Sequence, residues 1–410
     1  MPITLPAHSP RTRSLTDVVP EMFRSLRGES IWLRPAQSTV LVMLDGVGAA
    51  QLRARAGHAR FLASISGIRD VARTTFPSTT ASALTGLLTA TDPGQNGMLG
   101  YRVRVPKTGR VANLLHGWED GDLPDDWQQE QPLTRAQARH APVFVVSKPE
   151  FATTGFTRAT TDGAQFVGVT DLDERIARAG ALAAQHPGSF TYLYVPELDG
   201  IGHRAGWESG AWTEGLERVD ASLRDLVRAA PQAGVLITAD HGMIDVPASR
   251  HVLLDDGDPR LEGVTDIAGE PRMLHLYTEP QAADAVAGVY EAKGRPSFNP
   301  LICHVDTVER ARALIDLDET GEQLADACRG GVARGPAAGA REDDTLRRAR
   351  LGRWRVRIAT AGPRGWRHAR RLARATGASG ADARLPARVR FLRSPTSARR
   401  RRPEMAEDPH

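Results

Sequence analysis

The chain has 410 residues, 41% of them hydrophobic and 25% charged, with a formal net charge of +4. That balance excludes a collagen-like or fully disordered polymer and leaves room for one large α/β domain with an appendage. Two cysteines, Cys303 and Cys328, are too few for a disulfide framework, and no apolar run is long enough to span a bilayer, so the chain reads as cytoplasmic with no membrane partner.

Taken in chain order, residues 1–37 form a lead-in with a short helix near 15–26 and no apolar core of signal-peptide length. From residue 38 to about 280, apolar strand runs alternate with helical patterns. Strands are expected at 39–45, 142–147, 165–169, 189–195, 234–239 and 272–277, and helices at 50–55, 78–89, 171–186 and 211–229. The last helix places Leu216, Val219, Leu223 and Val227 on one face with charges opposite. This βαβα rhythm predicts a mainly parallel sheet covered by helices on both faces, an α/β fold.

Three of the strand runs end in metal-ligand residue types. The first runs into Asp45, the run at 189–195 leads to Asp199 and His203, and the run at 234–239 leads directly to Asp240 and His241. Open α/β sheets bind ligands at the carboxyl ends of their strands. Aspartate oxygen and histidine nitrogen suit zinc and hard divalent ions. Two such ions sharing a crevice, roughly 4 Å apart, clamp the attacking and leaving oxygens of a phosphoryl transfer. Such a centre needs a nucleophile, and the hydroxyl-rich run Thr74–Thr80 leads into a helix whose N-terminus favours an incoming phosphate.

With these pieces in order, residues 38–278 resemble the alkaline phosphatase superfamily, in the branch of type I phosphodiesterases and nucleotide pyrophosphatases. The resemblance rests on the Asp45 strand, the Thr75–Thr80 segment, the run from Leu88 to Gly97, Asp199-Gly-Ile-Gly-His203, Arg218-Val-Asp220 and Asp240-His241-Gly242-Met243. It implies an alkaline-phosphatase-like α/β/α sandwich that hydrolyses a phosphodiester or pyrophosphate, such as a nucleotide, through a phospho-threonine intermediate. It implies two divalent ions, read as Zn2+. Asp45, Thr75, Asp240 and His241 would hold one. Asp199, His203 and a further histidine would hold the other. The threonine before Phe-Pro is the family's nucleophile, which points to Thr75; Ser78 stands where relatives carry asparagine. Thr79 and Thr80 are neighbouring alternatives, because the stretch up to Pro93–Gly97 is a few residues longer than usual. No segment carries the family's last histidine in its usual context; His251 and His275 follow the right strand without that context, and His304 and His368 lie in sequence unlike the family. Loss of that ligand admits an alternative, a metal-binding remnant without catalysis. A phosphomonoesterase or phosphoglycerate-mutase-type activity would use the same metal frame.

Past residue 280 the character changes. Residues 281–328, with Lys293-Gly-Arg295-Pro-Ser-Phe-Asn299-Pro-Leu301, resemble the nucleotide-binding fold of threonylcarbamoyl-AMP synthases, and Lys293 and Arg295 would then contact a nucleotide phosphate. From 329 to 410 the sequence collapses into Arg, Ala, Gly and Pro, with Arg399–Arg402 the densest basic run, and reads as a low-order tail. This tail supplies the basic excess behind the pI of about 9.4, so nucleic acid is not the expected partner. The whole is read as a C-terminally shortened phosphodiesterase domain fused to a partial α/β fragment, with a reading-frame slip near residue 329.

Overall fold

The computed structural model describes residues 13–292 except 68–69, 249–250, 255–256 and 271–272, together with the strands 301–304, 354–359 and 391–393. The expected residues Lys293 and Arg295 and most of the 329–410 tail lie outside the described residues.

Five strands, β1 (Ser38–Leu44), β2 (Val143–Ser147), β3 (Gln165–Gly168), β4 (Phe190–Val195) and β5 (Ala233–Thr238), form one sheet in the order β3-β2-β4-β1-β5. Every pairing in it is parallel. The helices that matter for the site are α1 (Val18–Arg27), α2 (Thr80–Thr89), α3 (Gly155–Thr161), α4 (Leu172–Gln185), α5 (Glu197–Ala205) and α6 (Gly210–Ala229).

The alternation in β1 explains the layering. Val40, Val42 and Leu44 join one core with Ile176 and Leu182 of α4 and Trp212, Leu216, Val219 and Leu223 of α6. Leu41 and Met43 point the other way, into a core with Val19 and Met22 of α1 and Leu84, Leu87 and Leu88 of α2. Side chains alternate across a strand, so a strand covered on both faces must be apolar throughout. Each fully buried side chain of this size contributes about 1.5–3 kcal/mol. Both faces of the sheet are therefore covered by helices, which makes the α/β/α sandwich.

The expected strand at 272–277 is present as Met273–Thr278, but in a different sheet. It pairs antiparallel with Val264–Glu270 in a second five-stranded sheet that also contains Leu301–His304, Arg102–Arg104 and Val111–Asn113. The connection from 270 to 273 is too short for the crossover that a parallel pairing needs. Leu301–His304 pairs in parallel with Met273–Leu276.

Polar anchors tie the helices to the sheet ends. Asp220 of α6, nearly buried, accepts hydrogen bonds from the backbone N–H groups of Phe61 (3.0 Å) and Leu62 (2.8 Å). It thereby caps the short helix Arg60–Ile65. Arg218 pairs with Asp171 and Asp173 at the start of α4. The Arg218-Val-Asp220 element of the sequence thus holds helices in place. Among the described residues, no helix is long and apolar enough to cross a membrane.

Candidate active site and metal centre

The carboxyl ends of β1, β4 and β5 are adjacent because these strands are neighbours in the sheet, so the residues that follow them meet. Asp45 follows β1 directly, and its N–H donates to the Val195 carbonyl of β4 (3.1 Å). Asp240 and His241 follow β5. Asp240 is fully buried, and its Oδ1 accepts from the N–H groups of Gly46 (3.1 Å) and His241 (2.8 Å). The Thr74 hydroxyl donates to the Asp240 carbonyl. His241 Nε2 lies 3.4 Å from Asp45 Oδ1 and 3.4 Å from Asp240 Oδ2. Ligand atoms of Asp45, Asp199 and His241 all fall within 4.8 Å of one another.

Glycine is required where β1 turns toward α5. Gly46 has a φ of +73°, and a Cβ there would stand 2.9 Å from Asp199 Oδ1. A side chain would be strained and would push the carboxylate out of the cluster. Gln51 braces the same turn, donating to the Gly46 carbonyl (3.1 Å) and accepting from the Gly48 N–H (3.0 Å).

Asp199 and His203 sit on α5, a helix that is not among the expected ones. Their four-residue spacing puts them on one face, with His203 Nε2 3.3 Å from Asp199 Oδ2. His203 is about half exposed.

The Thr75 hydroxyl donates to the Pro77 carbonyl (3.3 Å), and its methyl group lies 2.8 Å from where a Cβ on Gly86 would stand. Thr75 is thus committed to the turn and to packing against α2. Thr80, the first residue of α2, takes the place beside the carboxylates. Its Oγ1 is 3.1 Å from His241 Nε2. Thr79 is the N-cap and accepts from the Ser82 N–H. Of the three threonines expected as candidates, Thr75, Thr79 and Thr80, it is Thr80 whose hydroxyl lies against His241. Asn96 donates to the Thr91 carbonyl (3.2 Å) and accepts from the Met98 N–H (3.0 Å), a structural role.

The cluster is charge-heavy for a buried place. Burial, then the negative charges of Asp240 and Asp199, push the Asp45 carboxyl well above the usual carboxylate range, against the hydrogen bond that the Tyr194 hydroxyl donates to it. Burial, then the negative charges of Asp45 and Asp240, push the Tyr194 and Tyr192 phenols well up. Asp45 Oδ1, Asp199 Oδ1 and Asp240 Oδ2 are buried without a hydrogen-bond partner. Three orphaned carboxylate oxygens beside an imidazole nitrogen make a donor set that fits a zinc-like cation.

Among the described residues, neither His251 nor His275 is part of this cluster. His251 Nε2 is 3.2 Å from the Val246 carbonyl. His275 lies in the second sheet, fully buried, with neither ring nitrogen hydrogen-bonded. The side chain of His304 and the whole of His368 are outside the described residues.

His275 instead gives a pH-dependent stability. Burial lowers its pKa from the ordinary 6.5 to about 4. A depressed histidine is neutral in the fold and protonates first when unfolded. Its contribution is therefore complete above pH 6.5 and is lost as pH falls toward 4, by about 2–3 kcal/mol in all. His275→Leu is expected to flatten this part of the profile. Urea unfolding of both proteins between pH 4.5 and 7 checks it, and parallel profiles would show that His275 is not the titrating group.

Beside Asp45, Thr80 and Asp199 a cavity of about 370 Å3 extends between the sheet and the helices α2 and α3. It falls within the usual size range of small-molecule sites, roughly 300–1,000 Å3.

Comparison with known proteins places this geometry. A profile described as type I phosphodiesterase / nucleotide pyrophosphatase matches residues 39–303, running past the domain end expected near 280. No curated protein matches. Among solved structures, murine ectonucleotide pyrophosphatase / phosphodiesterase 5, an inactive form in complex with AMP, is similar at 17% identity and a TM-score of 0.44, over 63% of this chain and 70% of that one. The human protein of the same name is similar at 16% identity and a TM-score of 0.45, over 63% and 71%.

Proposed function

Because the chain belongs to the type I phosphodiesterase / nucleotide pyrophosphatase family, and is a hydrolase of that kind, we propose that it cleaves a phosphodiester or pyrophosphate bond of a small phosphorylated substrate with Thr80 as the nucleophile. Asp45, Asp240 and His241, with Asp199 beside them, would hold a divalent cation. Asp199 and His203 would contribute to a second. The observation that carries the reading is the group of three buried carboxylate oxygens without hydrogen-bond partners together with His241, whose Nε2 lies 3.1 Å from the hydroxyl of Thr80.

The mechanism follows from what these residues do. Thr80 starts a helix, so free N–H groups and the positive end of its dipole face an incoming phosphate. The short contact with His241 holds the hydroxyl among the carboxylates. When bound, the cation would supply charge that offsets the phosphate and lowers the pKa of a nearby alcohol. Thr80 Oγ1 gives up its proton to solvent and forms a bond to phosphorus, the bond from phosphorus to the opposite ester oxygen breaks, and that oxygen leaves with the bonding pair and takes up a proton from solvent to depart as an alcohol or phosphate. Water attacks the resulting phospho-threonine, the phosphorus–Oγ1 bond breaks, and the hydroxyl is regenerated. Tyr194 holds Asp45 in place through its hydrogen bond.

The test is a panel of esters with the full chain. Bis(p-nitrophenyl) phosphate is expected to be hydrolysed faster than p-nitrophenyl phosphate, to resist hydrolysis after EDTA treatment, and to be cleaved again once Zn2+ or Mn2+ is returned. Activity indifferent to EDTA, or confined to the monoester, contradicts the reading.

A further inference from the structure

We infer that the cavity beside Thr80 receives an apolar alkyl or aryl group carried by the substrate phosphate, in preference to a nucleobase. The inference rests on the proposed phosphoryl site, because the cavity shares Asp45, Thr80 and Asp199 with it.

The chemistry of the walls supports it. The sheet contributes Val145, Phe166 and Tyr192, α2 contributes Leu84 and Leu88, and Phe151 and Phe156 come from the segment that ends in α3. Leu84 is one turn beyond Thr80, so the apolar wall begins directly behind the nucleophile. α3 and its cap also supply threonines, but their hydroxyls are engaged. Thr160 donates to the Phe156 carbonyl (2.8 Å), Thr161 to the Thr157 carbonyl (2.7 Å) and Thr154 to Thr157 Oγ1 (2.9 Å). The protons of Thr154, Thr160 and Thr161 are thereby used within the helix and its cap, and their methyl groups add to the apolar wall. The Tyr194 hydroxyl is likewise spent on Asp45.

A nucleobase carries several donors and acceptors on its edge, and each one left unpaired on burial costs about 1–3 kcal/mol. Beyond the carboxylates at the phosphoryl end, the described residues of the wall include no Asn, Gln or Arg to read such an edge, and His116 and Lys148 are the ring and ammonium groups that line it. The buried hydroxyls without partners are Ser147 Oγ and Tyr192 OH, both on the sheet wall. Those two can satisfy one polar function within an otherwise apolar group, and Lys148 also lines the cavity. An alkyl or aryl group brings no polar edge of its own to be left unpaired against these walls.

Binding of n-alkyl phosphates, from methyl to hexyl, to the Zn2+-loaded full chain tests this by calorimetry, with AMP for comparison. Affinity is expected to rise about fourfold per methylene, the value for burying each one in an apolar site. Hexyl phosphate is expected to bind more tightly than AMP. Thr157→Trp, which fills the cavity from α3, is expected to lower the rise below twofold per methylene. A rise below twofold in the unaltered chain, or tighter binding of AMP than of hexyl phosphate, overturns the inference and leaves the phosphoryl site standing. Failure of every member to bind, methyl phosphate included, overturns both.

Discussion

Replacing Thr80 by alanine is expected to lower phosphodiester hydrolysis by at least about a thousandfold, since a lost nucleophile has no local substitute. The chain should stay folded. Thr80 is the first residue of its helix and Thr79, not Thr80, makes the capping hydrogen bond. Divalent metal should still bind, because the carboxylates and His241 remain. Thr75→Val is the informative partner. It keeps the methyl group that rests against Gly86 and removes only the hydrogen bond to the Pro77 carbonyl. That change is expected to cost about 1 kcal/mol of stability and to leave turnover within about threefold of the unaltered chain. Steady-state kinetics on one diester with the three proteins settles the order. A dead Thr75→Val protein beside an active Thr80→Ala protein would reverse the assignment.

Asp45→Asn is expected to separate function from stability. The side chain stands at the end of β1, where burial and two neighbouring carboxylates disfavour its charge. Asparagine keeps the shape and can still accept the Tyr194 hydrogen bond, but it removes one negative charge from the cluster. Metal affinity should drop by more than about a hundredfold, exceeding what loss of an outer-shell partner costs, and diester hydrolysis with it. The metal-free chain, by contrast, should melt higher at neutral pH. A carboxyl whose folded pKa is raised weakens the fold as pH climbs past its ordinary value, and asparagine has no such penalty. Melting of the EDTA-treated proteins at pH 7, followed by titration with Zn2+, measures both effects. Unchanged metal affinity would take Asp45 out of the centre.

Much of this was legible in the residues. The two-faced apolar strands at 39–45, 142–147 and 189–195 announced a covered parallel sheet, and the strand-ending Asp45, Asp240 and His241 announced a site at its carboxyl edge. The family resemblance carried by those motifs is borne out by the profile over 39–303. Other features are not legible there, for physical reasons. The strand near 272–277 has the same apolar pattern whether it joins a parallel or an antiparallel sheet; the short link to its partner decides, and periodicity does not register it. The segment Glu197–Ala205 contains two glycines and is not among the expected helices, yet it forms the helix that aligns Asp199 with His203. Thr75 was favoured by its place before Phe-Pro. Which hydroxyl faces the carboxylates depends on where the helix begins, and it begins at Thr80. Tyr194, whose hydroxyl holds Asp45, had no motif to mark it beyond its alternation with Tyr192 in one strand.

The most direct test is a crystal structure of the full chain grown with Zn2+ and orthovanadate, with the metal located from its anomalous signal. The proposed chemistry requires an ion touching Asp45, Asp240 and His241, with vanadium bonded to Thr80 Oγ1. An ion bound away from these side chains, or vanadium seated on Thr75 or Thr79, would contradict it.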